Sequence, residues 1–122
     1  MDLLHNSEMK NYQIYVFTQH GCGPCEKLAA HLKTLSPEEA QELNVVPMRT
    51  FNRQRTALAQ KFKVDKSPTL VIAYPQVICA MAEGEDEWCE EFEVPVEKIE
   101  GAKAIIKALP HTLADYTYAH TE

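Results

Sequence analysis

The chain's chemistry concentrates in four residues, Cys22-Gly23-Pro24-Cys25. Two cysteines with two residues between them come within reach of a short disulfide when the segment forms the first turn of a helix. A helix N-terminus offers unpaired N–H groups and a partial positive charge. Both stabilise a thiolate over a thiol, and the thiolate is the reactive form. Gly23 and Pro24 suit a tight first turn, because the N–H that proline lacks would have no helical partner there. The pattern therefore points to thiol–disulfide exchange, in which Cys22 attacks a substrate disulfide and the more buried Cys25 resolves the mixed disulfide. Half of a structural zinc site is the competing reading. Zinc needs four ligands, usually from a second close pair. Cys79 and Cys89 are not closely spaced and no histidine lies near them, so no metal is expected. His20, two residues before Cys22, is the nearest group that titrates near neutrality and is a candidate for tuning the nucleophile. An exposed loop histidine without a role is the simpler reading of it.

Strand and helix patterns place the pair. Residues 13–18 are apolar and rich in β-branched and aromatic types, which predicts a buried strand. Leu28, Leu32 and Leu35 recur at helical spacing, predicting a helix over about 22–35. The cysteines thus stand where a central strand gives way to a helix. Ser36-Pro37-Glu38-Glu39 combines a cap, an early proline and acidic residues near the positive end, so a short helix running to residue 43 is expected. Residues 44–50 read as a second strand, with Pro47 marking an edge or bulge. A helix over 52–62 would turn Leu58, Ala59 and Phe62 inward, and 69–74 reads as a third, buried strand. A last helix over 101–109 would bury Ile105, Ile106 and Leu109 and stop before Pro110. Residues 1–12 suggest no more than a helical turn or a loose arm. The tail 110–122, with Tyr116 and Tyr118, either packs or dangles.

Taken together, three segments resemble the thioredoxin family: Cys22-Gly23-Pro24-Cys25, then Lys66-Ser67-Pro68-Thr69, then Glu100-Gly101-Ala102. In that family a cis-proline followed by threonine opens a strand beside the two sulfurs, and the resemblance assigns that place to Pro68. It covers residues 13–109 and implies an α/β thioredoxin-like fold: a central four-stranded mixed sheet flanked by helices, with the order strand–helix–strand–helix, antiparallel hairpin, helix. The implied activity is that of a protein-disulfide reductase with a redox-active Cys22–Cys25 disulfide and no bound cofactor. Substrate would lie against Gly21, Gly23, Ser67, Pro68 and Thr69, pairing in extended form with the backbone before the proline. Thioredoxin reductase or another electron donor, and protein disulfides such as that of ribonucleotide reductase, are the implied partners.

The match has gaps. Gly21 stands where thioredoxins carry Trp, and Thr18 where they carry another. Val16 replaces a buried Asp that helps move the resolving thiol's proton. The N-terminal strand–helix pair is missing, and 17–22 leans toward glutaredoxins, although those have other residues between the cysteines. A glutathione-dependent enzyme, with Lys66 or Thr69 contributing, is therefore the first alternative. A redox-inert interaction module is the second, since fold alone does not set function.

Between Pro68 and Gly101 the chain is longer than the family's hairpin, and an extended β-hairpin insertion over about 75–95 accounts for the excess. If Gly84 centres a three-residue turn, residues equidistant from it oppose one another. Cys79 then faces Cys89 at a separation compatible with a disulfide. Two free thiols are the competing state in a reducing compartment. Pro75 and Pro95 would mark where the ordinary sheet ends. The acidic run around Trp88 reads as a solvated face or, more sharply, as a surface for a basic partner with Trp88 as its anchor.

Length and composition agree with this. The 122 residues suit one domain, with 45% hydrophobic and 25% charged residues as in ordinary soluble proteins. A net charge of -6 argues against nucleic acid. No apolar run reaches the ~20 residues that span a bilayer, and no signal-peptide pattern opens the chain. A cytoplasmic monomer is the expectation.

Overall fold

The structure, a computed structural model, describes residues 12–80, 84 and 86–116. Four strands and four helices follow in chain order: β1 (Gln13–Thr18), α1 (Gly23–Leu32), α2 (Pro37–Gln41), β2 (Leu43–Pro47), α3 (Ala57–Lys61), β3 (Thr69–Ala80), β4 (Trp88–Glu100) and α4 (Ala102–Tyr116). The strands form one sheet in the order β2-β1-β3-β4. β1 runs parallel to β2 and antiparallel to β3, and β3 antiparallel to β4. This is the expected four-stranded mixed sheet flanked by helices.

Alternation along the two central strands builds both layers. Ile14, Val16, Leu70 and Ile72 point to one face and pack with Leu28 of α1 and Ile105, Leu109 and Leu113 of α4. Phe17, Val71 and Ala73 point to the other and meet Met48, Ala59, Phe62 and Val64. Each fully buried Leu, Ile or Phe contributes roughly 1.5–3 kcal/mol relative to exposure, so β1 and the first half of β3 form the rigid base on which the site rests.

Several elements differ from their sequence-based extents. The helix expected over 52–62 forms only at Ala57–Lys61, capped by Thr56. The residues before it instead make a tight loop, in which Arg49 bridges Arg55 and the Thr50 hydroxyl oxygen accepts from the N–H groups of Asn52 and Gln54. Local side-chain bonding outcompetes a helical turn there. The helix after Ser36 has the expected cap, which proves to be a capping box with Glu39, but ends at Gln41, because Leu43 is drawn into β2 opposite Ile14. β2 itself ends at Pro47, and Met48 N–H then donates to Thr18 O at 2.8 Å. α1 ends at Leu32 rather than residue 35, although Leu32 and Leu35 still pack on the core.

The largest correction concerns α4, which runs through Pro110 to Tyr116. Proline in a helix interior costs ~3 kcal/mol. Beyond it, burial of Thr112 and Leu113 and the packing of Tyr116 against the core offset that loss. The boundary of the packed body therefore lies past residue 109. The expectations for residues 1–11 and for Tyr118 fall outside the described residues.

The hairpin register follows the expectation. From Ala73↔Pro95 out to Ala80↔Trp88, paired residues are equidistant from Gly84, which has φ +79°. Inward of that, a bulge between Ile72 and Ala73 leaves Val96 as the extra residue next to Pro95. Burial ends at the same place: Thr69–Ala73 are buried, whereas 76–80 and most of β4 are exposed. Cys79 and Cys89 oppose one another and are joined by a disulfide, not left as free thiols. Among the described residues no helix is long and apolar enough to cross a membrane.

Candidate active site

β1 ends at Thr18 and the chain turns through Gln19, His20 and Gly21 into α1. Gly21 takes φ +73°, a left-handed conformation that favours glycine. Cys22 is the N-cap of α1, with extended backbone, and Gly23 and Pro24 open the first turn. Its Sγ accepts the Cys25 N–H at 3.1 Å, and its carbonyl accepts the Glu26 N–H at 3.0 Å. The cysteine thus holds the place usually taken by Ser, Asp or Asn, and its sulfur satisfies one of the helix's orphan N–H groups. The same N–H would stabilise a thiolate. Cys22 and Cys25 are joined in a disulfide. Cys22 is half-buried, while Cys25 is only 5% exposed.

The strand opposite completes the site. The Ser67–Pro68 peptide bond is cis, and Pro68 is fully buried. Ser67 is thereby set beside the disulfide, its carbonyl oxygen 3.7 Å and its hydroxyl oxygen 3.6 Å from Cys22 Sγ. Pro68 O accepts the Gly101 N–H at 2.9 Å, tying this loop to the start of α4. Thr69 is buried, with its hydroxyl donating to Lys66 O at 2.7 Å. Its side chain supports the loop and does not face an open groove. Lys66 Nζ lies 3.7 Å from Glu100 on the surface. The structure therefore gathers Gly21, Cys22, Gly23, Pro24, Cys25 and Ser67 at one edge and leaves Pro68 and Thr69 buried beneath it.

Val16 is fully buried between Val45 and Leu70. The buried polar residues described are Thr69 and Thr112, so among the described residues no buried carboxylate stands near Cys25. His20 is exposed and, among the described residues, makes no hydrogen bond to either sulfur.

Sequence reasoning missed Gln19. Its Oε1 lies 3.5 Å from Ser67 Oγ, so the Ser67 hydroxyl faces both Gln19 and Cys22 Sγ. Only the folding of 66–68 against the β1–α1 turn brings them together. It also missed a cavity lined by Gln19, His20, Arg49, Thr50, Phe51 and Arg53. Reading 52–62 as a helix hid the loop that forms its wall, on which Phe51 is 100% exposed.

The sequence model of the family described as Thioredoxin matches residues 4–95. No curated protein matches the sequence. Among solved structures, thioredoxin from Fasciola hepatica is 20% identical and superposes with a TM-score of 0.55, the match covering 93% of this chain and 88% of the other. The reduced thioredoxin pre-protein of Schistosoma mansoni is 19% identical with a TM-score of 0.54, covering 93% and 87%. Oxidised mitochondrial thioredoxin 3 of Saccharomyces cerevisiae is 22% identical with a TM-score of 0.52, covering 92% and 86%. At these identities the likeness speaks to the fold alone.

Proposed function

The chain belongs to the thioredoxin family and is a thiol–disulfide oxidoreductase, and we propose that it reduces protein disulfides through Cys22 as nucleophile and Cys25 as resolving thiol. The observation that carries this assignment of roles is the difference in exposure between two bonded sulfurs at one helix N-terminus. In the reduced protein, the Cys22 thiolate, stabilised by the Cys25 N–H, attacks one sulfur of a substrate disulfide. A Cys22–substrate bond forms and a substrate thiolate leaves. Cys25 then loses its proton and attacks Cys22 Sγ, which closes the Cys22–Cys25 disulfide and releases the second substrate thiolate. Two electrons pass to the substrate, and the Cys25 proton is the one proton released. With Val16 in the core, that proton goes to solvent or to the departing thiolate. The carbonyl of Ser67, beside Cys22 Sγ, is available to pair with an extended substrate backbone.

A reductase resets the dithiol. Thioredoxin reductase is the donor to assay first, and ribonucleotide reductase one target. We place the protein as a monomer in the cytoplasm, with no cofactor beyond its own disulfide. Insulin reduction with dithiothreitol or thioredoxin reductase as electron source tests this reading. Wild type is active and Cys22→Ser is not; equal rates with and without the wild-type protein overturn it. One observation favours a second reading. The cavity beside the dithiol carries two arginines, Arg49 and Arg53, which suit the carboxylates of glutathione. Glutathione-dependent reduction of a small mixed disulfide, lost on Arg49→Gln with Arg53→Gln, would select it.

A further inference from the structure

β3 and β4 run on past the part of the sheet that the helices cover. The register shows which side chains share the uncovered face: Tyr74 opposes Val94, Gln76 opposes Phe92, Ile78 opposes Glu90 and Ala80 opposes Trp88. Strand alternation puts these pairs on the same side as Ile72, which lies in the core beneath α1 and α4. At the root of this face the Tyr74 ring lies 5.0 Å from that of Tyr12, which meets Tyr116 of α4 at 4.8 Å. Farther out, Ile78 is 47% exposed, Trp88 51%, Phe92 36% and Val94 38%. The opposite side of the hairpin carries Val77, the disulfide, Glu91 and Glu93. A two-stranded ribbon is marginal by itself in water. A contiguous exposed apolar surface of this kind marks an interaction site.

Charge selects the occupant. Every charged residue between Tyr74 and Val96 is acidic, while acidic and basic residues nearly balance over the rest of the chain, so the net charge of -6 resides in this hairpin. A second copy laid face to face would set Glu90 and its neighbours against themselves, and like-charge juxtaposition at an interface costs several kcal/mol. A basic partner gains where a copy loses. The same face is already covered by helix at its root, and a further helix continues that layer with an apolar stripe on Ile78, Trp88, Phe92 and Val94. We propose that this hairpin face docks a basic amphipathic helix of a partner protein, with lysines or arginines flanking its apolar stripe and facing Glu90.

Trp88 is the single tryptophan of the chain, so its fluorescence reads the site directly. The probe is a synthetic leucine–lysine helix with all leucines on one face, compared with its leucine–glutamate counterpart. The lysine helix shifts Trp88 emission to the blue and binds at least about tenfold tighter than the glutamate helix at low salt, a preference that shrinks as ionic strength rises. Glu90→Lys removes the preference for the lysine helix, and Phe92→Ser with Val94→Ser weakens both. Variants count as folded when Cys79 and Cys89 resist alkylation and insulin reduction is unchanged. Trp88 emission that ignores both helices overturns the proposal, as does an equal response to both. A concentration-dependent dimer in sedimentation makes the occupant a second copy. Emission already blue in the dilute monomer means that the chain covers this face itself.

Discussion

One strand, β3, serves two disulfides in opposite ways. Its first half, Thr69–Ala73, is buried and begins at the cis-proline that sets Ser67 against Cys22. Its second half is exposed and carries Cys79, bonded to Cys89. At ~3.3 Å per residue, Cys79 lies roughly 33 Å along the strand from Thr69, so the two disulfides cannot exchange within one molecule. The bonds are chemically the same and their surroundings differ. Cys22 caps a helix, with an N–H on its sulfur and a buried partner. Cys79 and Cys89 sit near the outer ends of β3 and β4, with the Glu87 carboxylate beside them and Glu91 on the same side of the hairpin, where negative charge on sulfur meets repulsion. The first arrangement suits a nucleophile, and the second suits a staple. A Cys-X-X-Cys spacing matters less for bringing sulfurs together than for seating one of them on a helix N-terminus.

The sharpest way to break this comparison is to remove each pair in turn. Cys22→Ser is expected to lower insulin reduction by at least about a thousandfold, as loss of a nucleophile does. Cys79→Ser with Cys89→Ser should leave it within about twofold, because nothing in the active site touches the hairpin. A large loss in the double variant would make the hairpin disulfide part of the electron path.

The same contrast reaches the free thiols. After full reduction, iodoacetamide near neutral pH should modify Cys22 at least about tenfold faster than Cys79 or Cys89, since rate follows thiolate fraction and exposure. All three are accessible, which leaves electrostatics to decide. Equal rates would mean that the helix N-terminus does not activate Cys22. Trapping thiols in intact cells with the same reagent also tests the compartment, because an exposed disulfide that persists is uncommon in a reducing cytosol.

A third, smaller effect concerns stability. Closing a loop of this size by a disulfide stabilises by about 2–3 kcal/mol in the chain-entropy model. Its removal should act locally, because the hairpin beyond Ala73 adds little to either core. Amide exchange at Val77, Ile78, Glu90 and Glu91 should quicken by about thirtyfold or more, with the thermal midpoint nearly unchanged. A large drop in the midpoint would show that the hairpin and the body unfold as one unit.

How much of this was legible depended on whether the signal was local. The strand–CGPC–helix step, the helix cap at Ser36 and the hairpin register about Gly84 each follow from residues close in sequence. The partner of Cys79 followed too, because residues equidistant from Gly84 oppose one another along the hairpin. What escaped depended on distant packing. Nothing local to Pro110 shows that Thr112 and Leu113 will be buried beyond it. Nothing near Gln19 shows that Ser67 will arrive beside it. The loop over 49–56 escaped for another reason: its leucine and alanine spacing fits a helix, but the Thr50 hydroxyl offers the backbone a competing set of bonds.

The smallest test concerns how the hairpin root is held to the body. Tyr15 OH donates to the Glu93 carboxylate, with both oxygens at 2.8 Å, and Lys61 Nζ lies 3.7 Å from the same group. Burial first, then the hydrogen bond to Glu93 and its charge, push the Tyr15 phenol up to about 12 from its usual 10. The folded protein thus holds this proton more tightly than the unfolded chain does. That contribution to stability is complete below about pH 10, the unfolded value, and is lost as pH rises toward 12. A partly exposed hydrogen bond to a carboxylate contributes about 1 kcal/mol. Wild type should therefore resist urea better than Tyr15→Phe by about that margin at pH 8, and the gap should close between pH 10 and 12. Using the difference between the two proteins cancels the titration of the lysines and of Tyr116, which is also raised, by burial and by Glu97. A gap that stays constant through this range would place the contribution of Tyr15 in packing against Phe62 and Phe17. The root of the hairpin would then be held by ring contacts, and the bond to Glu93 would be incidental.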